Sequence, residues 1–209
     1  MADALASIEA GADALGFIFA ASSRQVTPEK AQEIIRELPS EVEKIGVFLD
    51  AGPHQIRRVV DQVDLTGIQM HGQSDFPPEV YSYLPPERRD GLRKIKTLIM
   101  LDGFQTDMRN LMMVPGVIDA FLLDSGTGSG RRFDWQAARA HIVDQPGKLI
   151  IAGGLTPDNV GEAMRIFRPW GVDVVSGVED GPGRKGPDKL NAFVAAVRNA
   201  EKEPWAAQH

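Results

Sequence analysis

Seven short, mostly apolar runs recur along the chain at nearly constant intervals. This spacing constrains the fold more than any single residue does. The runs are Ala14–Phe19, Lys44–Leu49, Gly67–Met70, Leu92–Leu98, Val117–Leu123, Lys148–Ala152 and Val172–Val175. They lack the strict in-out alternation of half-exposed strands and read as strands covered on both faces. Their ends, at 19, 49, 70, 97, 123, 152 and 175, lie 21 to 30 residues apart. Helix signals fill the intervals. Thr27-Pro28-Glu29 places a hydroxyl at an N-cap and proline in the first turn, and Thr156-Pro157-Asp158 is expected to do the same. Asp134 is placed to cap a helix from Trp135, and Gly186-Pro187-Asp188 to open the last one.

Strands alternating with helices define parallel βα units. Their even spacing, without a long insertion or linker, favours one closed (β/α) barrel over two domains. A doubly wound open sheet is the runner-up, but no dinucleotide-binding glycine fingerprint follows the first strand. The expected fold is therefore α/β, a (β/α)8 TIM barrel spanning residues 1–200, with a frayed tail over 201–209. The count nevertheless stops at seven. A helical stretch from Ala2 to Ala10 comes first, with no strand before it. One mean unit back from Phe19, the first strand of the eight would end about seven residues upstream of Met1. The expectation is a barrel lacking its first strand, with an open seam and unpaired strand edges.

Composition narrows the functional classes. A net charge of −6 disfavours nucleic acid and anionic membranes as partners, although a local pocket for an anionic small molecule stays possible. With no cysteine in the chain there are no disulfides or thiolate metal sites, as suits a reducing cytoplasm. The sequence contains no apolar run of membrane-spanning length.

In a (β/α) barrel the reactive groups stand where strands end and βα loops begin. Those positions hold Arg24, His71, Asp124, Gly153-Gly154 and Ser176-Gly177. Asp124 closes an apolar run and precedes a glycine-serine loop through Gly130, the placement of a general acid or base under a closing loop. The bland alternative is a helix cap or a salt-bridged strand end. Gly153, Gly154, Ser176 and Gly177 occupy the last two loops, where backbone N–H groups commonly hold phosphate. Taken singly, these glycines could equally serve tight turns. Arg24 is suited to a carboxylate or phosphate, or to solvent. His71 is a weaker signal, and a structural histidine fits it equally well.

The strings "ADALGFIF", "SSRQVTPEKA", "KIGVFLD", "GIQMHG", "LLDSGTGSGRRFDW", "IIAGGLTPDNV" and "VDVVSGVEDGPGRKG" occur in this order. Together they resemble the phosphoribosylanthranilate isomerase family of tryptophan biosynthesis, from Ala2 to about Val197. The resemblance implies a (β/α)8 barrel with no cofactor or metal. It also implies a cytoplasmic enzyme, monomeric or homodimeric, whose partner is a small phosphosugar-anthranilate. The implied chemistry is an Amadori rearrangement with Asp124 as general acid. Arg24 faces the anthranilate carboxylate, His71 and Arg131 bind substrate, and Gly153, Gly154, Ser176 and Gly177 bind phosphate. The family's base is a cysteine in the first strand, which would fall about five residues before Met1 by alignment on "GADALGFIF". The 209-residue chain by itself is thus expected to turn over poorly or not at all. An inactive barrel that binds phosphate ligands is the alternative. Phosphosugar isomerases of the histidine pathway carry a twofold repeat, which this sequence lacks.

Overall fold

The computed structural model describes residues 1–72, 84, 88, 91–100, 118–126, 132–142 and 148–203. Its core is a sheet of seven strands: β1 (Ala14–Ile18), β2 (Glu43–Leu49), β3 (Gly67–His71), β4 (Arg93–Ile99), β5 (Ala120–Asp124), β6 (Lys148–Ile151) and β7 (Gly171–Val172). All pairings are parallel, and sequence order is spatial order. Every apolar run thus became a strand. The last is shorter than expected: Val172–Val175 contributes only Val172 to the ladder, and the chain leaves the sheet at Asp173.

Parallel strands need crossovers, and helices supply those whose residues are described. The described helices are α1 (Ala2–Ala10), α2 (Pro28–Ile35), α3 (Pro53–Gln62), α4 (Trp135–Ile142), α5 (Val160–Phe167) and α6 (Pro187–Glu201). The Thr27 hydroxyl accepts from Lys30 N–H at 3.2 Å, and Pro28 follows it, as read from sequence. Asp134 caps α4 by accepting from Ala137 N–H at 2.9 Å. Thr156 does not cap α5. The residues after it form a turn, and the helix starts at Val160 with Asn159 as N-cap. The Asn159 side chain is drawn back to the loop, accepting from Thr156 N–H and donating to Gly154 O, both at 2.9 Å. That competing use of the amide displaces the helix start.

The two faces of the sheet bury different side chains. Ile45, Ile95, Ala120, Leu122, Ile150 and Ala152 form the cluster on the concave face. Register places Ala120 beside Ile95 and Leu122 beside Ile150. On the helix-covered face, Phe17, Phe48, Ile68 and Met70 pack with Ile34, Ile56 and Val60 of α2 and α3. Leu123 and Ile151 pack with Trp135, Val160, Phe167, Leu190 and Phe193 of α4, α5 and α6.

Among the described residues the sheet does not close by a ladder: β1 and β7 are its edges, as the seven-strand count requires. Asp13 C=O accepts from Glu43 N–H, and Phe19 N–H donates to Val47 C=O. By alternation, Ala14, Gly16 and Ile18 turn their backbone groups to the open side. There Ile18 C=O is taken by Val26 N–H of the following loop at 2.9 Å. Two small strands, β8 (Glu179–Gly181) and β9 (Arg184–Lys185), form an antiparallel hairpin after β7 that was not expected from sequence.

Ile151 has no exposed surface and sits in the larger helix-face cluster. Ile151→Ala is expected to lower unfolding free energy by about 2–5 kcal/mol, read as a reduced urea midpoint with an unchanged slope.

Candidate functional site

Because the strands are parallel, their C-terminal ends share one rim, and five loops bring polar groups to it. Asp124 is the last residue of β5 and is partly buried. Its Oδ1 accepts from Gly126 N–H at 2.8 Å and lies 3.4 Å from the Ser125 hydroxyl. The glycines around it are structural necessities. Gly126 has φ 75°, and a β-carbon there would lie 2.1 Å from Ile99 Cγ2. Gly153, at φ 77°, would bring a β-carbon 2.5 Å from Ser125 N and 3.1 Å from Asp124 Oδ1. Only a glycine lets the β6 loop lie directly against the carboxylate.

The last two loops also touch. A β-carbon on Gly177 would sit 1.9 Å from Leu155 C=O, so the 3-10 turn Ser176–Val178 packs against the loop after Gly153-Gly154. The four residues read as a phosphate cradle thus belong to one continuous surface beside Asp124. Ser176 is exposed and the other three are partly buried.

His71 ends β3 and reaches the same rim. Its Nε2 lies 2.7 Å from Gln69 Nε2, an amide nitrogen that can only donate. Burial lowers the His71 pKa; Asp124 opposes that and Lys96 adds to it. At neutral pH the ring is uncharged. The next residue, Gly72, has φ 97°, and a β-carbon on it would strike the Asp50 carboxylate at 2.1 Å. Lys96 Nζ donates to Gly72 C=O at 3.4 Å.

Arg24, in the loop after β1, is engaged within the protein. Its Nε and Nη2 donate to the two Glu179 carboxylate oxygens at 2.8 and 2.6 Å. Arg131, Gly128, Ser129 and Gly130 lie outside the described residues, as does the tail beyond 203.

Sequence reading missed Asp173, hidden in the run "VDVV". Burial and the nearby Asp124 charge push its carboxyl from the ordinary 3.8 up to about 6, against Lys185 and the Val174 N–H. The signal was there: one carboxylate inside an otherwise apolar strand end. Lys185 was missed too. Burial lowers its pKa, although Glu179 and Asp173 both favour its charged form. Among the described residues no group of three or more His, Asp or Glu could hold a metal ion.

A parallel, helix-covered sheet with carboxylates, a neutral histidine and paired glycine loops at one rim defines a (β/α)-barrel enzyme site. The sequence matches the family described as N-(5'-phosphoribosyl)anthranilate (PRA) isomerase over residues 1–196. It is 40% identical over 201 residues to the N-(5'-phosphoribosyl)anthranilate isomerase of Trichlorobacter lovleyi, covering 96% of this chain and 93% of that protein. With the enzyme of the same name from Symbiobacterium thermophilum it shares 41% over 221 residues, 97% of this chain and 96% of the relative. Among solved structures, the phosphoribosyl anthranilate isomerase of Thermus thermophilus superposes with a TM-score of 0.80 at 33% identity. That match covers 95% of this chain and 94% of the other. An isomerase in complex with reduced 1-(o-carboxyphenylamino)-1-deoxyribulose 5-phosphate gives 0.76 at 34%, over 95% and 93%. The chain belongs to the phosphoribosylanthranilate isomerase family.

The raised carboxyl of Asp173 has a stability consequence. Between pH 3.8 and about 6 the folded state keeps this group more protonated than the unfolded chain does. The stabilisation is complete below the unfolded value and is lost as pH rises through the folded one. Asp173→Asn, which mimics the protonated form, is expected to match the parent below pH 3.8 and exceed it above pH 6. Urea midpoints across that range check this; a variant no more stable than the parent at pH 7.5 contradicts it.

Proposed function

We propose that this chain rearranges N-(5-phosphoribosyl)anthranilate to 1-(2-carboxyphenylamino)-1-deoxyribulose 5-phosphate, a step of tryptophan biosynthesis. The observation that carries the reading is the junction of Asp124 with Gly153. It sets a strand-end carboxylate against a glycine loop that is itself packed on the Ser176-Gly177 turn. One ligand can thereby present a phosphate to the backbone N–H groups of Gly153, Gly154, Ser176 and Gly177 and a sugar ring to Asp124.

In this reading Asp124 protonates the ribose ring oxygen, and the ring opens to a Schiff base. Removal of the C2 proton gives the enolamine, which tautomerises to the aminoketose. The resemblance assigns that removal to a cysteine absent from this sequence. Among the described residues, Asp173 has a proton affinity suited to transfer near neutrality and lies within the field of Asp124. His71, neutral and held by Gln69, supplies a hydrogen-bonding group rather than a charge. Arg24 faces the anthranilate carboxylate, and Arg131 adds a basic group from the loop. Leu49, 53% exposed at the rim end of β2 and paired with His71, offers the aromatic ring an apolar wall. The partner is a small phosphosugar, and no metal or cofactor is assigned a step. The protein acts as a monomer or homodimer; a Thermotoga maritima relative is described as dimeric. Among the described residues no helix is long and apolar enough to cross a membrane, which accords with a cytoplasmic role.

Relatives bearing the isomerase name match over nearly their whole length, which favours an enzyme over the inactive binder. The decisive experiment follows loss of substrate fluorescence with purified protein. Asp124→Asn is expected to lower kcat by about 10²–10⁴-fold. It should bind the reduced product analogue nearly as well as the parent. A parent that binds the analogue without any turnover would establish the inactive barrel instead.

A further inference from the structure

Arg24 does not offer a bare guanidinium to the rim. Two of its N–H groups, on Nε and Nη2, are committed to Glu179 in a two-pronged pairing at 2.8 and 2.6 Å. The acid is the fixed member: its side chain is 6% exposed, against 29% for Arg24. Glu179 follows the 3-10 turn and opens β8, so its backbone is set by the hairpin. Lys189 Nζ donates to the Glu179 backbone C=O at 2.6 Å. Lys185 Nζ lies 4.0 Å from Oε1 and donates to Val175 C=O at 2.8 Å, just ahead of Ser176. Arg24 thus takes its orientation from a buried acid 155 residues away.

A guanidinium carries five N–H donors in one plane. With the Nε–Nη2 edge held by Glu179, the adjoining Nη1–Nη2 edge is the one left to meet a second carboxylate. We propose that Glu179 is a positioning residue acting through Arg24: it fixes the guanidinium plane so that this edge receives the carboxylate of the ligand's anthranilate ring. The inference rests on the placement of Arg24 in the proposed function. It adds the residue that would make Arg24 selective for a carboxylated aromatic amine over an uncarboxylated one. The pairing also keeps Glu179 ionised, since Arg24 lowers its pKa first by hydrogen bonding and then by charge. An unpaired arginine would swing through many rotamers and lose that entropy on each binding event.

A purely structural role for Glu179, tying two loops together, would weaken every ligand alike. The test therefore uses two probes by calorimetry: reduced 1-(o-carboxyphenylamino)-1-deoxyribulose 5-phosphate, and the analogue whose ring lacks the carboxyl group. The parent chain is expected to prefer the first by about tenfold or more, the scale of a charge-assisted pair. Glu179→Gln is expected to weaken the first probe about tenfold and leave the second within about twofold. KM should rise with kcat little changed. Equal weakening of both probes, or of neither, overturns the proposal while leaving the proposed function intact. A parent that binds both probes equally removes Arg24 from carboxylate recognition and this inference with it. A parent that binds neither overturns the substrate reading itself. If Glu179→Gln fails to fold, Arg24→Gln/Glu179→Gln removes both members of the pair, leaving Lys185 bonded to Val175 C=O. Equal affinity of that double variant and Arg24→Gln for the first probe supports the proposal, and a weaker double variant overturns it.

Discussion

The parallel ladder is the constraint on which everything else depends. Seven strands run in one direction in sequential order, so every strand's last residue arrives at the same rim. Residues as distant as His71, Asp124 and Asp173 become neighbours in charge without any local sequence relationship. Register refines the placement. Leu49 is paired with His71 across β2 and β3, and Ile99 with Asp124 across β4 and β5. Below the rim the concave face buries a cluster of apolar side chains.

Within the rim, glycines determine how closely groups approach, and charges determine which forms they take. A side chain at Gly153 or Gly177 would collide with main-chain atoms of the neighbouring loop. The three last loops can pack as one surface only without one. Three acids, Asp124, Asp173 and Glu179, share this region with Arg24, Lys96 and Lys185. The pairings are uneven. Glu179 is held down by Arg24, whereas Asp173 is pushed up by burial and by Asp124. Uneven environments give like groups different protonation states, a prerequisite for moving a proton between them.

Much of this was legible in the sequence, for physical reasons. Strand existence follows from burial on both faces, which writes apolar runs into the chain, and helix starts follow from local capping chemistry at Thr27 and Asp134. Asp124 and the glycine loops were legible because strand ends and tight turns leave local marks. Thr156 misled because α5 begins only after Asn159, three residues later, whose side chain binds the loop rather than capping the helix. Asp173 was lost inside an apolar run, and its proton affinity comes from burial and a neighbour on another strand. Glu179 was quoted as part of a motif, but its partner lies 155 residues away. No period or spacing encodes such a contact.

The Arg24–Glu179 pair also occupies a particular place in the architecture. Arg24 follows β1 and Glu179 follows β7, the two edges of the open sheet. Among the described residues no ladder of main-chain hydrogen bonds joins these edges, and side chains and helices span the gap. At the rim the link is the bidentate pair of a buried Glu179 side chain with a half-buried Arg24. At the opposite end Arg198 of α6 reaches Asp13, just before β1, at 3.4 Å. Between them Ala6 and Ala10 of α1 pack on the cluster that contains Leu190 and Phe193 of α6. The Asp13 link is exposed and screened by solvent, so it contributes little. The rim pair is shielded and two-pronged, which makes it the stronger tie. Because Arg24 follows β1 and Glu179 follows β7, the pair bridges the loops at the two sheet edges.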